Sequence, residues 1–86
     1  MVLVKPYTED GDTRTFYEHY DASEYVWHRD EEDRSIEVLE GNGWQIQFEN
    51  TLPYLLKNGQ TFDIEKYTYH RLIKGKDDLI VRLIKL

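Results

Sequence analysis

Two short segments of this 86-residue chain hold polar residues of the types that bind metals and anions. The first segment contains His28, Asp30 and Arg34, and the second contains His70. Imidazole and carboxylate groups are ligands for divalent transition metals. The planar guanidinium of arginine binds carboxylate and phosphate groups through paired hydrogen bonds. If the fold brings the four side chains together, these residues predict a metal centre, an anion-binding site, or both.

The sequence around these candidates alternates between apolar and polar residues, as expected of β-strands with one buried face. Successive side chains of a strand point to opposite faces, so Val26, His28 and Asp30 share one face of a predicted strand. The other two candidates are grouped with apolar residues in the same way: Arg34 with Ile36 and Val38, and His70 with Leu72. The candidate side chains are therefore predicted to face the interior of the domain.

Short runs of this kind are separated by glycine-containing turns at intervals of roughly 8–12 residues, a rhythm typical of an all-β sandwich or barrel. No convincing helix pattern is present. Strands are predicted at 13–20, 24–30, 35–40, 43–50, 67–73 and 79–86.

The two polar segments resemble the two sequence motifs of the cupin superfamily, in which a small β-barrel holds a divalent metal. In that family the first motif supplies a His-x-His pair, a glutamate and a glycine, and the second motif supplies a third histidine. His28, Gly41, Gly59 and His70 stand at matching positions, with seventeen residues between the two glycines. The resemblance implies a cupin-type double-stranded β-helix, a small jelly-roll barrel.

The chain departs from the family pattern at several motif positions. Asp30 stands in place of the second histidine, and Arg34 stands in place of the glutamate ligand. In the second motif, three residues replace a proline, a glycine and an asparagine: Glu65, Tyr67 and Lys74. The resemblance thus implies a metal site formed by His28, Asp30 and His70, with Arg34 as a neighbour that binds an anion.

The first functional hypothesis is a site that binds a divalent metal together with a small anionic ligand. Two histidines and one carboxylate suit iron, manganese, nickel or zinc and leave coordination positions open. Such a metal supports oxygen chemistry or Lewis-acid catalysis. Arg34 and Tyr67 are the predicted ligand-binding residues. No organic cofactor is implied, and no particular reaction is indicated.

The alternative hypothesis is a metal-free cupin that acts as a small-molecule binding module or as a sugar-type isomerase or epimerase. An ion pair between Asp30 and Arg34 would then replace the charge of the metal. A histidine oriented by a carboxylate is a candidate general base near neutral pH. In this resemblance to sugar epimerases, Tyr67 or Tyr25 would supply the acid. A further possibility is a buried polar network that binds no ligand.

Composition and charge narrow the range of partners. Acidic residues outnumber lysine and arginine by 17 to 11, which argues against a nucleic-acid partner, because phosphate binding requires clustered cations. There is no cysteine, and this excludes disulfides and thiolate metal sites. No apolar run approaches the ~20 residues of a membrane span, and no signal peptide is recognisable. We therefore expect a cytoplasmic protein with no membrane partner.

The sequence also predicts the domain organisation and the oligomeric state of the protein. Residues 1–86 are predicted to form a single domain, with 1–23 as an N-terminal strand or arm and 24–86 as the barrel. Apolar residues on both faces of 79–86 predict a homodimer, because natural proteins pair or cover such strands. The stretch 27–44 also resembles small cupins of marine bacteriophages, which would place the protein in the host cytoplasm.

Overall fold

The computed structural model describes residues 6–84, and these form two antiparallel β-sheets. The strands are β1 (Tyr7–Asp10), β2 (Thr13–Phe16), β3 (Arg34–Glu40), β4 (Gln45–Phe48), β5 (Tyr54–Leu55), β6 (Thr61–Ile64), β7 (His70–Ile73) and β8 (Leu79–Ile84). Their order is β1-β2-β8-β3-β6 in the larger sheet and β5-β4-β7 in the smaller one. The described part of the chain contains no α-helix, and its only helical element is a 3-10 turn at Ala22–Glu24. The prediction of an all-β fold is confirmed.

The two sheets enclose an apolar core because alternate residues of their strands face each other. From the larger sheet Ile36, Val38, Ile64, Leu79 and Val81 are buried, and Trp44, Ile46 and Leu56 are buried opposite them. Trp44 is completely buried, and its indole N–H donates a hydrogen bond to the carbonyl of Asp77. That bond satisfies the one polar group that burial of the ring would otherwise leave unpaired.

Strand β8 is the central strand of the larger sheet. It pairs with β2 on one side and with β3 on the other, so the N-terminal hairpin β1–β2 extends the same sheet. The predicted strand at 79–86 corresponds to Leu79–Ile84, and positions 85 and 86 lie outside the described residues. Leu79 and Val81 face the core, whereas Arg82 lies on the opposite face and pairs with Glu37.

The prediction of a regular strand at 24–30 is wrong. Asp21 caps a 3-10 turn by accepting a hydrogen bond from the backbone N–H of Ser23, a local bond that competes with strand pairing. After this turn the chain is extended, and it joins the smaller sheet through a single β-bridge at His28. The predicted strand at 67–73 is shortened for a related reason, since Tyr67 has a φ of +64° and the strand begins at His70.

Candidate metal and anion site

A backbone bridge brings the two candidate histidines together. The N–H of His28 donates to the carbonyl of His70, and the N–H of His70 donates to the carbonyl of His28, each over 2.9 Å. Residues directly opposite one another in antiparallel strands place their side chains on the same face. The two imidazole rings accordingly lie side by side, with 4.4 Å between their centroids.

Both imidazoles are oriented by the same local contact. The Nδ1 atom of His28 lies 2.9 Å from the carbonyl oxygen of Val26, and the Nδ1 atom of His70 lies 2.8 Å from that of Thr68. A carbonyl oxygen only accepts hydrogen bonds, so in each ring Nδ1 carries the proton. In the neutral rings Nε2 is therefore the unprotonated nitrogen, and this is the arrangement found for metal-binding histidines.

Asp30 lies next to both Nε2 atoms. Its Oδ2 atom is 3.6 Å from Nε2 of His70, and its Oδ1 atom is 4.0 Å from Nε2 of His28. One ligand atom from each of the three residues lies within 4.8 Å of the others. The cluster therefore holds two imidazole lone pairs and a carboxylate, all of them acceptors, and such a group is stabilised by a cation between or beside its members.

Arg34 is the nearest cation of the cluster. Its Nε atom lies 3.3 Å from Oδ2 of Asp30, an ion-pair distance. The same nitrogen is buried yet makes no hydrogen bond, because its N–H is not aligned with the carboxylate oxygen. Arg34 consequently neutralises part of the charge of Asp30 and still has a buried donor available for another acceptor.

The surroundings of His70 favour its neutral form. The pKa of His70 is lowered from its usual value, and burial of the ring is the largest cause. The charges of His28 and Arg34 lower the pKa further, whereas the carbonyl of Thr68 and the carboxylate of Asp30 oppose the shift. The His70 side chain is only 5% exposed, against 48% for that of His28. His70 thus presents an unprotonated Nε2 from the interior, and His28 lies at the solvent side.

The cluster opens into a cavity of about 290 Å³ between the two sheets. His28, Asp30, Arg34 and His70 all line it, which is the convergence that the alternation pattern predicted. Most of the remaining wall is apolar and comes from both sheets: Phe16, Ile36, Ile46, Phe62, Ile64, Leu72, Val81 and Leu83 are among its members. A largely apolar cavity with a few convergent polar groups is the usual form of a small-molecule site.

Of the two tyrosines considered for this site, Tyr25 lines the cavity and Tyr67 does not. Tyr67 is 59% exposed and is not among the described residues that line the cavity. Its predicted role as a ligand-binding residue has no support from this position. Tyr25 does line the cavity, but its hydroxyl donates to the carbonyls of Tyr17 and Pro6.

The sequence analysis missed two charged residues of the cavity lining, the exposed Glu24 and Arg14 on β2. Arg14 alternates with Thr13 and Thr15 and shares a strand face with Phe16, which packs against the core. A cation at an inward-facing position of an apolar stripe is the signal that would have identified it.

Comparison with solved structures places this architecture in a known fold. A cupin-2 domain protein from Shewanella frigidimarina matches 86% of this chain and 72% of its own, with a TM-score of 0.59 and 23% identity. The chain has the cupin fold. A second similar structure, protein NMB1881 from Neisseria meningitidis, matches 91% of this chain and 80% of its own, with a TM-score of 0.55 and 14% identity. No protein-family model matches the sequence, and no curated protein is detectably similar to it.

The cupin fold confirms the architecture that the motif resemblance implied, a small barrel built from two antiparallel sheets. Within this fold, the segment after the 3-10 turn supplies His28 and Asp30, and β7 supplies His70. The cluster of two histidines and one aspartate is a group that could hold a metal ion. Among the described residues, no helix is long and apolar enough to cross a membrane.

Proposed function

We propose that this cupin binds a divalent transition metal through His28, Asp30 and His70, together with a small anionic ligand that contacts Arg34. The observation that carries the proposal is the grouping of one ligand atom from each of two histidines and one aspartate within 4.8 Å of one another. Because both Nδ1 atoms contact carbonyl oxygens, the lone pairs face Asp30 rather than the backbone. Iron, manganese, nickel and zinc are the metals that suit this set of donors.

Three protein ligands leave coordination positions open for water or a substrate. Such a metal would act as a Lewis acid or activate bound water. The protein residues around it would orient the ligand and limit the access of water, since the wall of the cavity is mainly apolar.

Arg34 supports the anionic half of the proposal. Its buried Nε lies at ion-pair distance from Asp30 but makes no hydrogen bond, and its side chain lines the same cavity as the three proposed ligands. A carboxylate or phosphate placed between Arg34 and a metal would satisfy this donor. It would also relieve the repulsion between the guanidinium and the dication.

The experiment that tests the proposal is elemental analysis of protein purified without a histidine tag or a chelator and then incubated with iron, manganese, nickel or zinc. We expect one equivalent of metal in the wild type, none in His70→Ala or Asp30→Ala, and full retention in His19→Ala. His19 is an exposed histidine that stacks on Tyr20. Metal-free wild type, or equal binding by wild type and His70→Ala, would refute the metal site.

The second candidate is a metal-free binding module or an isomerase of the sugar-epimerase type. The 3.3 Å contact between Arg34 and Asp30 favours it, since the guanidinium then balances the charge of the carboxylate without a metal. Protein that stays metal-free but is stabilised by sugar nucleotides or small carboxylates in a thermal-shift screen would support this alternative.

A homodimer and a cytoplasmic location remain predictions. Ile84 on β8 and the β5 residues Tyr54 and Leu55 are exposed apolar side chains. Pairing between two copies would remove such groups from water. Light scattering of the purified protein at micromolar concentration measures the mass directly, and a monomer mass would contradict the dimer.

A further inference from the structure

The cavity has a second cationic residue, Arg14, which is remote in sequence from the proposed metal site. Arg14 lines the cavity from β2, and its Nε atom is buried without a hydrogen-bond partner. Nε of Arg34 is also buried without a hydrogen bond, although it lies at ion-pair distance from Asp30. Within residues 6–84 these two nitrogens are the buried side-chain polar atoms that make no hydrogen bond. Unpaired buried donors are rare in folded proteins and call for an acceptor.

The guanidinium of Arg14 is held in place by two neighbours on β1. Its Nη2 atom lies 2.7 Å from Oε1 of Glu9, which stands directly opposite Arg14 in the β1–β2 pairing. Its Cζ atom lies 4.8 Å from the centre of the Tyr7 ring. A guanidinium has five N–H donors, and the contact with Glu9 engages one end of it. Arg14 therefore has a fixed orientation and a free Nε donor.

The two arginines stand at separate places on one sheet face. Arg14 is opposite Val81 on β8, Val81 is opposite Val38 on β3, and Arg34 precedes Val38 by four residues. With about 4.8 Å between strands and about 3.4 Å per residue, the two Cα atoms lie roughly 17 Å apart.

The wall between the two arginines is apolar. Ile36 and Leu83 are paired across β3 and β8, and both of them line the cavity, as does Val81. Along this wall, an apolar strip therefore separates Arg14 from Arg34, and Arg34 lies beside Asp30 and the two histidines. Glu24, the acidic residue of the lining besides Asp30, is exposed, so water and salt screen its charge.

From this arrangement we infer that the ligand of the cavity is a small organic acid with two anionic groups separated by an apolar chain. One anionic group contacts Arg34 at the proposed metal site, and the other contacts Nε of Arg14. Arg14 is then the residue that selects a doubly charged ligand over a singly charged one. The inference rests on the proposed function, because it assigns the first anionic group to Arg34.

The test compares dicarboxylates with monocarboxylates of equal chain length, using isothermal titration of protein incubated with manganese. The pairs are succinate and butyrate, glutarate and pentanoate, and adipate and hexanoate. We expect at least one dicarboxylate to bind the wild type about tenfold more tightly than its partner, the effect of one added charge-assisted hydrogen bond. In Arg14→Gln this ratio should fall to about one, while binding of the monocarboxylate is unchanged.

Three further variants distinguish the possible reasons for a change in carboxylate binding. Arg34→Gln should weaken both members of each pair, and Arg82→Gln should change neither, since the exposed Arg82 pairs with Glu37 on the outer face of the same sheet. Arg14→Lys, which keeps the charge and lacks Nε, should give an intermediate ratio and guards against misfolding of Arg14→Gln.

The inference is overturned if the wild type binds dicarboxylates and monocarboxylates equally well, or if Arg14→Gln keeps the preference for the dicarboxylate. Neither result contradicts the proposed function, which predicts metal retention and Arg34-dependent binding of monocarboxylates. Absence of binding by either class overturns both the inference and the anionic half of the proposed function. If the wild type binds carboxylates but retains no metal, only the metal half of the proposed function is overturned, because carboxylate binding and metal retention are measured separately.

Discussion

His28 and His70 exchange two backbone hydrogen bonds, and their side chains then stand side by side at 4.4 Å between ring centroids. The bridge joins a segment that is otherwise irregular to a regular strand of the smaller sheet. One pair of main-chain bonds thus fixes the spacing of two proposed ligands that are 42 positions apart in the sequence. The third, Asp30, follows on the same segment two residues later, where its backbone carbonyl accepts a hydrogen bond from the N–H of Tyr67.

Replacing Arg34 by alanine should destabilise the metal-free protein more than the metal-loaded protein. Without the guanidinium, the carboxylate of Asp30 and two imidazole lone pairs face one another with no cation. The side chains of Asp30 and Arg34 are 19% and 26% exposed, so we expect a loss of about 1–2 kcal/mol, below the cost of breaking a fully buried pair. Urea denaturation with and without manganese measures both values.

The matched control for this prediction is Arg82→Ala. Arg82 makes an exposed ion pair with Glu37 at 3.1 Å, and its loss should change the free energy of unfolding by no more than about 0.5 kcal/mol. If Arg34→Ala is as stable as this control in the absence of metal, the ion pair with Asp30 has no structural role.

Replacing Arg34 by glutamate should strengthen metal binding. Arg34 stands where the cupin motif has a glutamate ligand, and its side chain already reaches Asp30. We expect metal affinity to rise about tenfold, equivalent to ~1.4 kcal/mol, relative to Arg34→Gln, which has the same length as the glutamate variant but no charge. The metal-free glutamate variant should be less stable than Arg34→Gln, because two carboxylates would then repel one another. Equal metal affinities for the two variants would show that position 34 does not reach the metal.

Sequence alternation predicted β3 well, whereas β2, which is also paired on both sides, ends at Phe16 and not at the predicted position 20. Strand β3 covers Arg34–Glu40, close to the predicted 35–40, because Ile36 and Val38 face the core while β6 and β8 flank the strand. Alternation failed at 24–30, where the cap by Asp21 forms a 3-10 turn. A local hydrogen bond of this kind is decided by side-chain chemistry that a period-two pattern does not contain.

The grouping of His28, Asp30 and His70 followed from the motif resemblance and from alternation, but the orientation of the imidazoles did not. That orientation depends on the carbonyls of Val26 and Thr68, whose directions are set by the backbone path and not by residue type. Arg14 was predictable in principle, since it shares a face with Phe16. Its unpaired Nε is visible only once Glu9 is seen to occupy the other end of the guanidinium.

Gly75→Ala should cost about 3 kcal/mol or more of folding stability. A Cβ atom at this position would overlap the carbonyl oxygen of Asn42 and lie 2.6 Å from the backbone nitrogen of Trp44. Both are backbone atoms next to a fully buried tryptophan, so neither moves cheaply, and overpacking of this kind is strongly destabilising. Thermal and urea denaturation of the variant measure the loss.

Gly59→Ala provides the comparison for Gly75→Ala. Gly59 has a φ of +87°, and no heavy atom lies within 4 Å of a Cβ placed there. This substitution should therefore cost only the backbone strain of about 1–2 kcal/mol. A larger loss for Gly59→Ala than for Gly75→Ala would contradict the close approach of the turn at Gly75 to the tryptophan.

The last prediction concerns stability at high pH and depends on Tyr25. Burial of the ring, with the charge of Asp78 as the next cause, raises the pKa of Tyr25 from 10.0 to about 12. The neutral phenol is thus favoured in the folded state, where it donates to the carbonyls of Tyr17 and Pro6. The unfolded chain loses this proton at lower pH than the folded protein does. The contribution of Tyr25 to stability is therefore complete below pH 10 and decreases as the pH rises from 10 to about 12.

Tyr25→Phe isolates this effect. The variant should be about 1 kcal/mol less stable at neutral pH, because the carbonyl of Tyr17 loses its hydroxyl donor. Its stability should then decline less steeply above pH 10 than that of the wild type, and the late tyrosinate absorbance step near pH 12 should disappear. Urea denaturation across this pH range, with absorbance titration of the folded protein, measures both quantities. Parallel stability profiles for the two proteins above pH 10 would show that the folded state does not retain the proton of Tyr25.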